Sequence, residues 1–366
     1  MSFWYGKAKI KGGLARSVQG ETYVDILTGL NERTEYSATT LQFIIAAWVL
    51  SKPFEGKKKI STTSGNVAEE DYDKQSVYAL LYSLYRSVGT VQSDQGVDYE
   101  MTFNTWGYDW PESWGAAPTA ETEPQRFGMN AYSGLFHFQQ VKDVVRERGG
   151  KVHVVEMGCG TGAGAHHVCK TELPECTYQA VDMQEAAIRT CERKYVPELG
   201  GRLVATRGDA TETPIDSESA DFVSVCETHV TEMPGKATEE DRKFFATAHR
   251  ILKPGGYMVW GNAIPDATWK PCFECLESVG LKLVEVCDVT KEAIRARDLD
   301  RARAEAFVEQ CLSRFVGFRI PGWGPTRRTE ARFAMENFYR NPGTNLYQNM
   351  VDGTDTYKSV LLQKAT

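Results

Sequence analysis

The sequence predicts an α/β protein built on a mostly parallel, doubly wound sheet, and three observations carry that expectation. From Lys151 onward, short apolar strand signals alternate with amphipathic helical ones. The run V-H-V-V-E-M-G-C-G-T-G-A-G-A-H-H, Val152 to His167, ends a β-branched segment in four glycines before a helix-compatible stretch. The composition, 42% hydrophobic and 25% charged over 366 residues, is that of an ordinary globular chain with enough length for one elaborated domain or two modest ones.

Each element follows from its local pattern. Strands are predicted at Val152–Glu156, Tyr178–Val181, Leu203–Thr206, Phe222–Cys226, Tyr257–Gly261 and Leu283–Asp288, with a seventh at Tyr357–Leu362. Strands that are apolar throughout are buried on both faces, so helices such as Gln184–Tyr195, Glu239–Leu252 and Trp269–Val279 must cover both sides of the sheet. Ahead of them, Phe127–Arg148 keeps helical spacing through Tyr132, Leu135, Phe138, Val141, Val144 and Val145. Residues 104–126, rich in Trp, Pro and Gly, are too apolar for a linker and too broken for a helix, and read as a folded-over cover segment. Residues 1 to about 100 read as mostly helical, with helices at Tyr36–Ser51 and Tyr72–Val88. The expected division is a helical extension with its cover segment over 1–125 and an α/β domain over 126–366. Residues 289–356 form a cap insertion before the last strand.

Composition excludes several classes. A net charge of −7 supplies no basic footprint for nucleic acid, and Lys57–Lys59 reads as a solvated turn. The longest apolar run, Leu41–Leu50, is too short to span a bilayer, and the first residues lack the core of a secretory signal. Nine scattered cysteines, with Cys272-x-x-Cys275 isolated, read as reduced thiols without a metal, and hence as a cytoplasmic protein.

The glycine turn admits two readings. Gly158-x-Gly160-x-x-Ala163 fits a dinucleotide fingerprint, whereas Glu156-x-Gly158-x-Gly160-x-Gly162 fits the turn that holds S-adenosylmethionine. Asp182, about twenty residues on, suits ribose hydroxyls in either case. The third strand ends in Arg207-Gly208-Asp209-Ala210, an acid placed to accept from an adenine amino group, with a turn-capping aspartate as the alternative. The acidic turn P-I-D-S-E-S-A-D-F-V-S-V and the helix end I-L-K-P-G-G-Y-M-V-W follow. Together these segments resemble the class I S-adenosylmethionine-dependent methyltransferase domain from about Val152 to Val289. The resemblance implies a Rossmann-like seven-stranded sheet and S-adenosylmethionine as cofactor. It assigns the cofactor to Tyr132, Glu156, Gly158, Cys159, Gly160, Asp182, Met183, Asp209, Ala210 and Glu227. A sulfonium cation and an amino-acid zwitterion are held without phosphate, so carboxylates rather than a lysine suit the turn.

A narrower resemblance lies outside that core. F-N-T-W-G-Y, Phe103 to Tyr108, then E-P-Q-R-F-G-M-N-A-Y-S-G-L-F, and the closing L-Y-Q-N-M-V-D-G-T-D-T-Y-K-S-V-L-L look like the mycobacterial phthiotriol and glycopeptidolipid type of lipid O-methyltransferase. Thr105 is inserted between Asn104 and Trp106 relative to that family, and the first hundred residues have no counterpart in it. The resemblance implies a small-molecule apolar acceptor of secondary metabolism. Trp106, Tyr108, Trp110 and Trp114 offer large rigid area either to wall its cavity or simply to pack the cover segment. The resemblance also places Cys226-Glu227-Thr228-His229 beside the acceptor, where an alcohol must lose its proton. His229 is the candidate base, with Glu227 orienting it or contacting the cofactor, and His137 is the reserve. O-methylation of a lipid, polyketide or phenol-like hydroxyl is the first expectation, and C-methylation of an isoprenoid, sterol or other activated carbon the second. N-methylation of a small amine and a non-catalytic cofactor-binding scaffold follow. The amino-terminal helices read either as a subunit-pairing module, giving a homodimer, or as a cap on the cavity.

Overall fold

The computed structural model describes residues 82, 85, 88–228, 235–313, 328–329, 332 and 335–366. The helix expected at Tyr36–Ser51 lies outside them. Of Tyr72–Val88 only Tyr82, Tyr85 and Val88 are described, all helical and buried.

The chain divides into two compact units. The first comprises residues 1–100, 184–186 and 304–338, and the second residues 101–183, 187–303 and 339–366. This partition and the boundary expected at 125 assign residues 101–125 differently. In the first unit, β1 (Thr90–Gln92) pairs antiparallel with β2 (Asp98–Glu100). Gln92 and Gln310 exchange hydrogen bonds of 3.0 and 2.7 Å, and Glu309 accepts from Arg328 and Arg332.

The second unit holds the sheet. Helices α1 (Arg126–Leu135) and α2 (Gln139–Glu147) lead into β3 (His153–Met157), α3 (Ala163–His167) and β4 (Thr177–Asp182). Then come α4 (Glu185–Lys194), β5 (Leu203–Arg207), β6 (Ala220–Cys226), α5 (Glu239–Ile251), β7 (Leu252–Pro265), α6 (Asp266–Ser278) and β8 (Leu281–Asp288). Helix α7 (Thr290–Ser313) follows, and α8 (Asn345–Val351) and β9 (Asp355–Lys364) close the chain. The strand order is β5-β4-β3-β6-β7-β9-β8, with β9 antiparallel to both neighbours and β3–β7 parallel. This is the expected seven-stranded, Rossmann-like sheet, with order reversing beside β3, where α/β sheets bind ligands.

Alternation along the strands makes two cores. Val154, Tyr178, Ala180, Phe222, Val259 and Leu361 face one side. Val155, Met157, Val181, Val223, Met258 and Leu362 face the other, under α5 and α6. Each fully buried aliphatic or aromatic side chain contributes about 1.5–3 kcal/mol, and a one-residue register slip would send every one of them to the opposite layer. Helix α5 starts where sequence rules require: Thr238 and Asp241 form a reciprocal capping box, with Asp241 N–H donating to Thr238 Oγ1 at 3.1 Å and Thr238 N–H to Asp241 Oδ2 at 2.6 Å.

Two expectations are corrected. The single helix over Phe127–Arg148 is broken at Phe136–Phe138, where Phe138 is extended (φ −55°, ψ 138°). Phe136 packs edge-on against Phe222 at 6.2 Å while His137 turns to Trp114. Apolar spacing continues across the break, so periodicity was blind to it. Strand β7 begins at Leu252 rather than Tyr257, because Leu252 pairs with Ala220 before a register shift absorbs the Pro-Gly-Gly segment. Among the described residues no helix is long and apolar enough to cross a membrane.

Candidate functional site

The glycine turn joins β3 to α3 and wraps the end of β4. Gly158 and Cys159 N–H both donate to Val181 O, at 2.8 and 2.9 Å, and Gly160 N–H donates to Asp182 Oδ2 at 2.8 Å. Gly158 (φ +86°) and Gly162 (φ +82°) are left-handed. A Cβ on Gly158 would lie 2.0 Å from Thr228 Cγ2, and one on Gly162 2.3 Å from Cys191 Sγ, so neither position has room for a side chain. Thr228 Oγ1 donates to Gly158 O at 3.0 Å, tying the end of β6 to the turn.

Glu156 lies beneath this turn, fully buried. Tyr178 Oη donates to its Oε2 at 3.0 Å and the Tyr132 phenol lies beside it, while Oε1 is buried without a hydrogen bond. Burial raises its pKa to about 7, against the phenols, which lower it. Tyr132 packs its ring on Gly164 and edge-on against Phe103 at 5.9 Å. A buried carboxylate with an orphaned oxygen is what an ammonium group, or water bound to one, satisfies. The acidic set Glu156, Asp182 and Asp209 thus fits a cationic, phosphate-free cofactor. Met183, 41% exposed, and half-buried Ala210 sit beside it at the ends of β4 and β5. Asp209 closes its own turn, Oδ1 accepting from Thr211 N–H and Oγ1, both at 2.8 Å. That is the turn-capping geometry, with both bonds on one oxygen.

At the end of β6 the arrangement is different. Glu227 (φ +48°) accepts from Trp106 N–H at 2.9 Å, Gly107 N–H at 3.0 Å and Tyr357 Oη at 2.8 Å. Burial raises its pKa, while these donors and the charge of Arg340 lower it. The saturated carboxylate anchors the segment around Trp106, and that segment is also held at Thr102 O by Thr161 Oγ1 at 2.7 Å. His229 lies outside the described residues.

The remaining candidates are packed. Tyr108 is 1% exposed, edge-on to Tyr357 at 5.2 Å, with its oxygen 1.8 Å from where a Gly134 Cβ would stand. It packs as a core residue, the alternative that the sequence offered for this aromatic stretch. Half-buried Trp106 lies under Arg340, whose guanidinium is 4.2 Å from the ring centroid. His137 is stacked on Trp114 at 4.3 Å and edge-on to Trp110 at 5.6 Å, and Lys142 Nζ donates to its Nδ1 at 3.3 Å. Burial and that ammonium push its pKa to about 4, a poor proton acceptor at neutral pH. Sequence reasoning missed Tyr178, Tyr357, Arg297 and Arg340. Tyr178 carried a signal, being an inward tyrosine on a buried strand, diagonal to Glu156 across the β3–β4 pair. The arginines carried none.

Comparison with known proteins agrees. A methyltransferase-domain family model matches residues 154–256. The phthiotriol/phenolphthiotriol dimycocerosates methyltransferase of Mycobacterium tuberculosis is 27% identical over 273 residues, covering 72% of this chain and 86% of that protein. The fatty-acid O-methyltransferase of Mycolicibacterium smegmatis is 25% identical over 233 residues, 63% of this chain and 78% of that protein. Geranyl diphosphate C-methyltransferase from Streptomyces coelicolor A3(2) aligns in structure with a TM-score of 0.45 and 12% identity, over 71% of this chain and 87% of that one. With this domain, this strand order and an acidic site fitted to S-adenosylmethionine, the chain is an S-adenosylmethionine-dependent methyltransferase.

Proposed function

We propose that the enzyme methylates a hydroxyl or carboxyl oxygen of a bulky apolar, lipid-like acceptor in the cytoplasm. The extent of the similarity carries this reading: it runs over 273 residues, well past the domain at 154–256, to proteins named for lipid acceptors. Segments outside the domain are therefore part of the match. The bound cofactor supplies an electrophilic methyl on a sulfonium. The chain's own part is alignment, exclusion of water and proton removal. Glu156 faces the methionyl ammonium, directly or through water, Asp182 the ribose, and Asp209 Oδ2 the adenine amino group. Tyr132 acts through Glu156. Glu227 orients the end of β6, and His229, two residues on, takes the acceptor proton.

Transfer of tritiated methyl to palmitate, a long-chain alcohol and geranyl diphosphate tests this. An ester formed on palmitate releases label on saponification, an ether on the alcohol releases it only with hydriodic acid, and a C-methyl group survives both. Label confined to a product resisting both would overturn O-methylation. His229→Ala should lower turnover about a hundredfold with cofactor affinity unchanged; unaltered turnover removes His229 from the mechanism.

A further inference from the structure

Trp106 is gripped at three points by groups from three other segments. Its N–H donates to Glu227, its carbonyl accepts from Arg297 Nη2, and its indole face meets Arg340 at 4.2 Å. Arg340 is 4% exposed; its Nη1 is 3.2 Å from Asp355 Oδ2, its Nη2 is 3.5 Å from Ala263 O, and its Nε has no hydrogen bond. Arg297, also 4% exposed, is 3.8 Å from Asp300. Glu227 and Arg340 are two of the three non-glycine residues with positive φ among those described, at +48° and +51°. Buried charges and left-handed side chains both cost stability, and an apolar cluster of similar volume would serve packing at least as well. Such a concentration of strain and charge at the C-terminal end of β6 points to a purpose other than stability.

We propose that Arg340 is a positioning residue for methyl transfer: clamped on the Trp106 indole and facing the buried Glu227 carboxylate, it fixes the end of β6 and so orients the residues that follow it. The assignment rests on the reading that the acceptor binds beside that end. It reaches no reacting atom itself. Arginine suits the task because a planar guanidinium can lie on an indole while its edge binds a carboxylate, here that of Asp355, which an ammonium cannot do.

Arg340→Met, Arg340→Lys and Trp106→Phe test this in the full-length enzyme, by methyl transfer to palmitate across pH and by calorimetry with S-adenosylmethionine. The groups facing Glu227 are Arg340, Arg297, Tyr357, Tyr108 and Cys226, with Asp355 and Asp300 partly offsetting the two arginines. Removing one cation makes the carboxylate harder to ionise. Arg340→Met should therefore lower kcat at least about tenfold and move the acid limb of the kcat–pH profile upward, with cofactor Kd within about twofold. Arg340→Lys should keep the acid limb in place but recover only part of kcat, and Trp106→Phe should reduce kcat without moving the limb. A kcat and pH profile unchanged in Arg340→Met would overturn the proposal, as would a loss of kcat matched by an equal loss of cofactor affinity. A wild type inactive on every acceptor would instead count against the acceptor reading. A double-mutant cycle of Arg340→Met with Glu227→Gln on thermal midpoint then decides here: coupling supports the clamp and additivity overturns it.

Discussion

Two buried carboxylates flank the C-terminal edge of the sheet, and they are held in opposite ways. Glu156, under the glycine turn, meets two phenols and keeps one oxygen without a hydrogen bond. Glu227, at the end of β6, accepts from two backbone N–H groups and a tyrosine, with Arg340 adding opposite charge. Desolvation raises the pKa of both. The difference teaches which one has an oxygen left to offer a ligand. A buried acid short of donors is completed by a cation arriving from outside, whereas an acid saturated by the chain is a structural anchor. The sequence left Glu227 to orient His229 or to contact the cofactor, and its partners show both of its oxygens already engaged by the chain.

The comparison breaks most sharply at the contact joining its halves. Gly158→Ala puts a Cβ 2.0 Å from Thr228 Cγ2 at φ +86°. Backbone strain of about 1–2 kcal/mol and overpacking of about 1–3 kcal/mol should together abolish measurable cofactor binding by calorimetry. Adding Thr228→Ala should recover part of the stability in a urea titration. Full binding by the single variant would show that the turn and β6 are not locked together.

Glu156→Gln sharpens the glycine-turn half. Its carboxyl titrates near 4.5 unfolded and about 7 folded, so folding favours the protonated form. That contribution is complete below about pH 4.5 and is lost as pH rises through about 7, amounting to about 3 kcal/mol. Urea midpoints of the cofactor-free wild type should fall across this window, and the variant should lack that fall. The same slope in both would assign the titration to another group. Asp209→Asn should have the smallest effect, because Oδ1 is retained for the turn while Oδ2 is lost. Cofactor affinity should drop roughly fivefold, about one hydrogen bond, with the thermal midpoint unmoved. An unchanged affinity would leave Asp209 as a turn residue only.

Most of the sheet and the glycine turn were legible in sequence because their signals are local: apolar strand runs, glycines where no Cβ fits, an acid at a fixed offset. The break at Phe136–Phe138 was not, since apolar spacing runs through it. The early start of β7 was hidden by a Pro-Gly-Gly segment that the β6–β7 register shift accommodates. Tyr108 read as either cavity wall or packing, and only its exposure of 1% decides for packing, because an aromatic-rich stretch looks alike whether it lines a pocket or fills a core.

By itself the sequence determined the α/β sheet, the glycine turn and the carboxylates around it, because period-two burial and left-handed glycines are written in neighbouring residues. Only the tertiary structure decided that Glu227 is an anchor and that Arg297, Arg340 and Tyr357 gather around Trp106 and Glu227. These contacts join positions 130 to 234 apart, and whether a buried charge is satisfied or left wanting depends on which distant segments the fold brings to it.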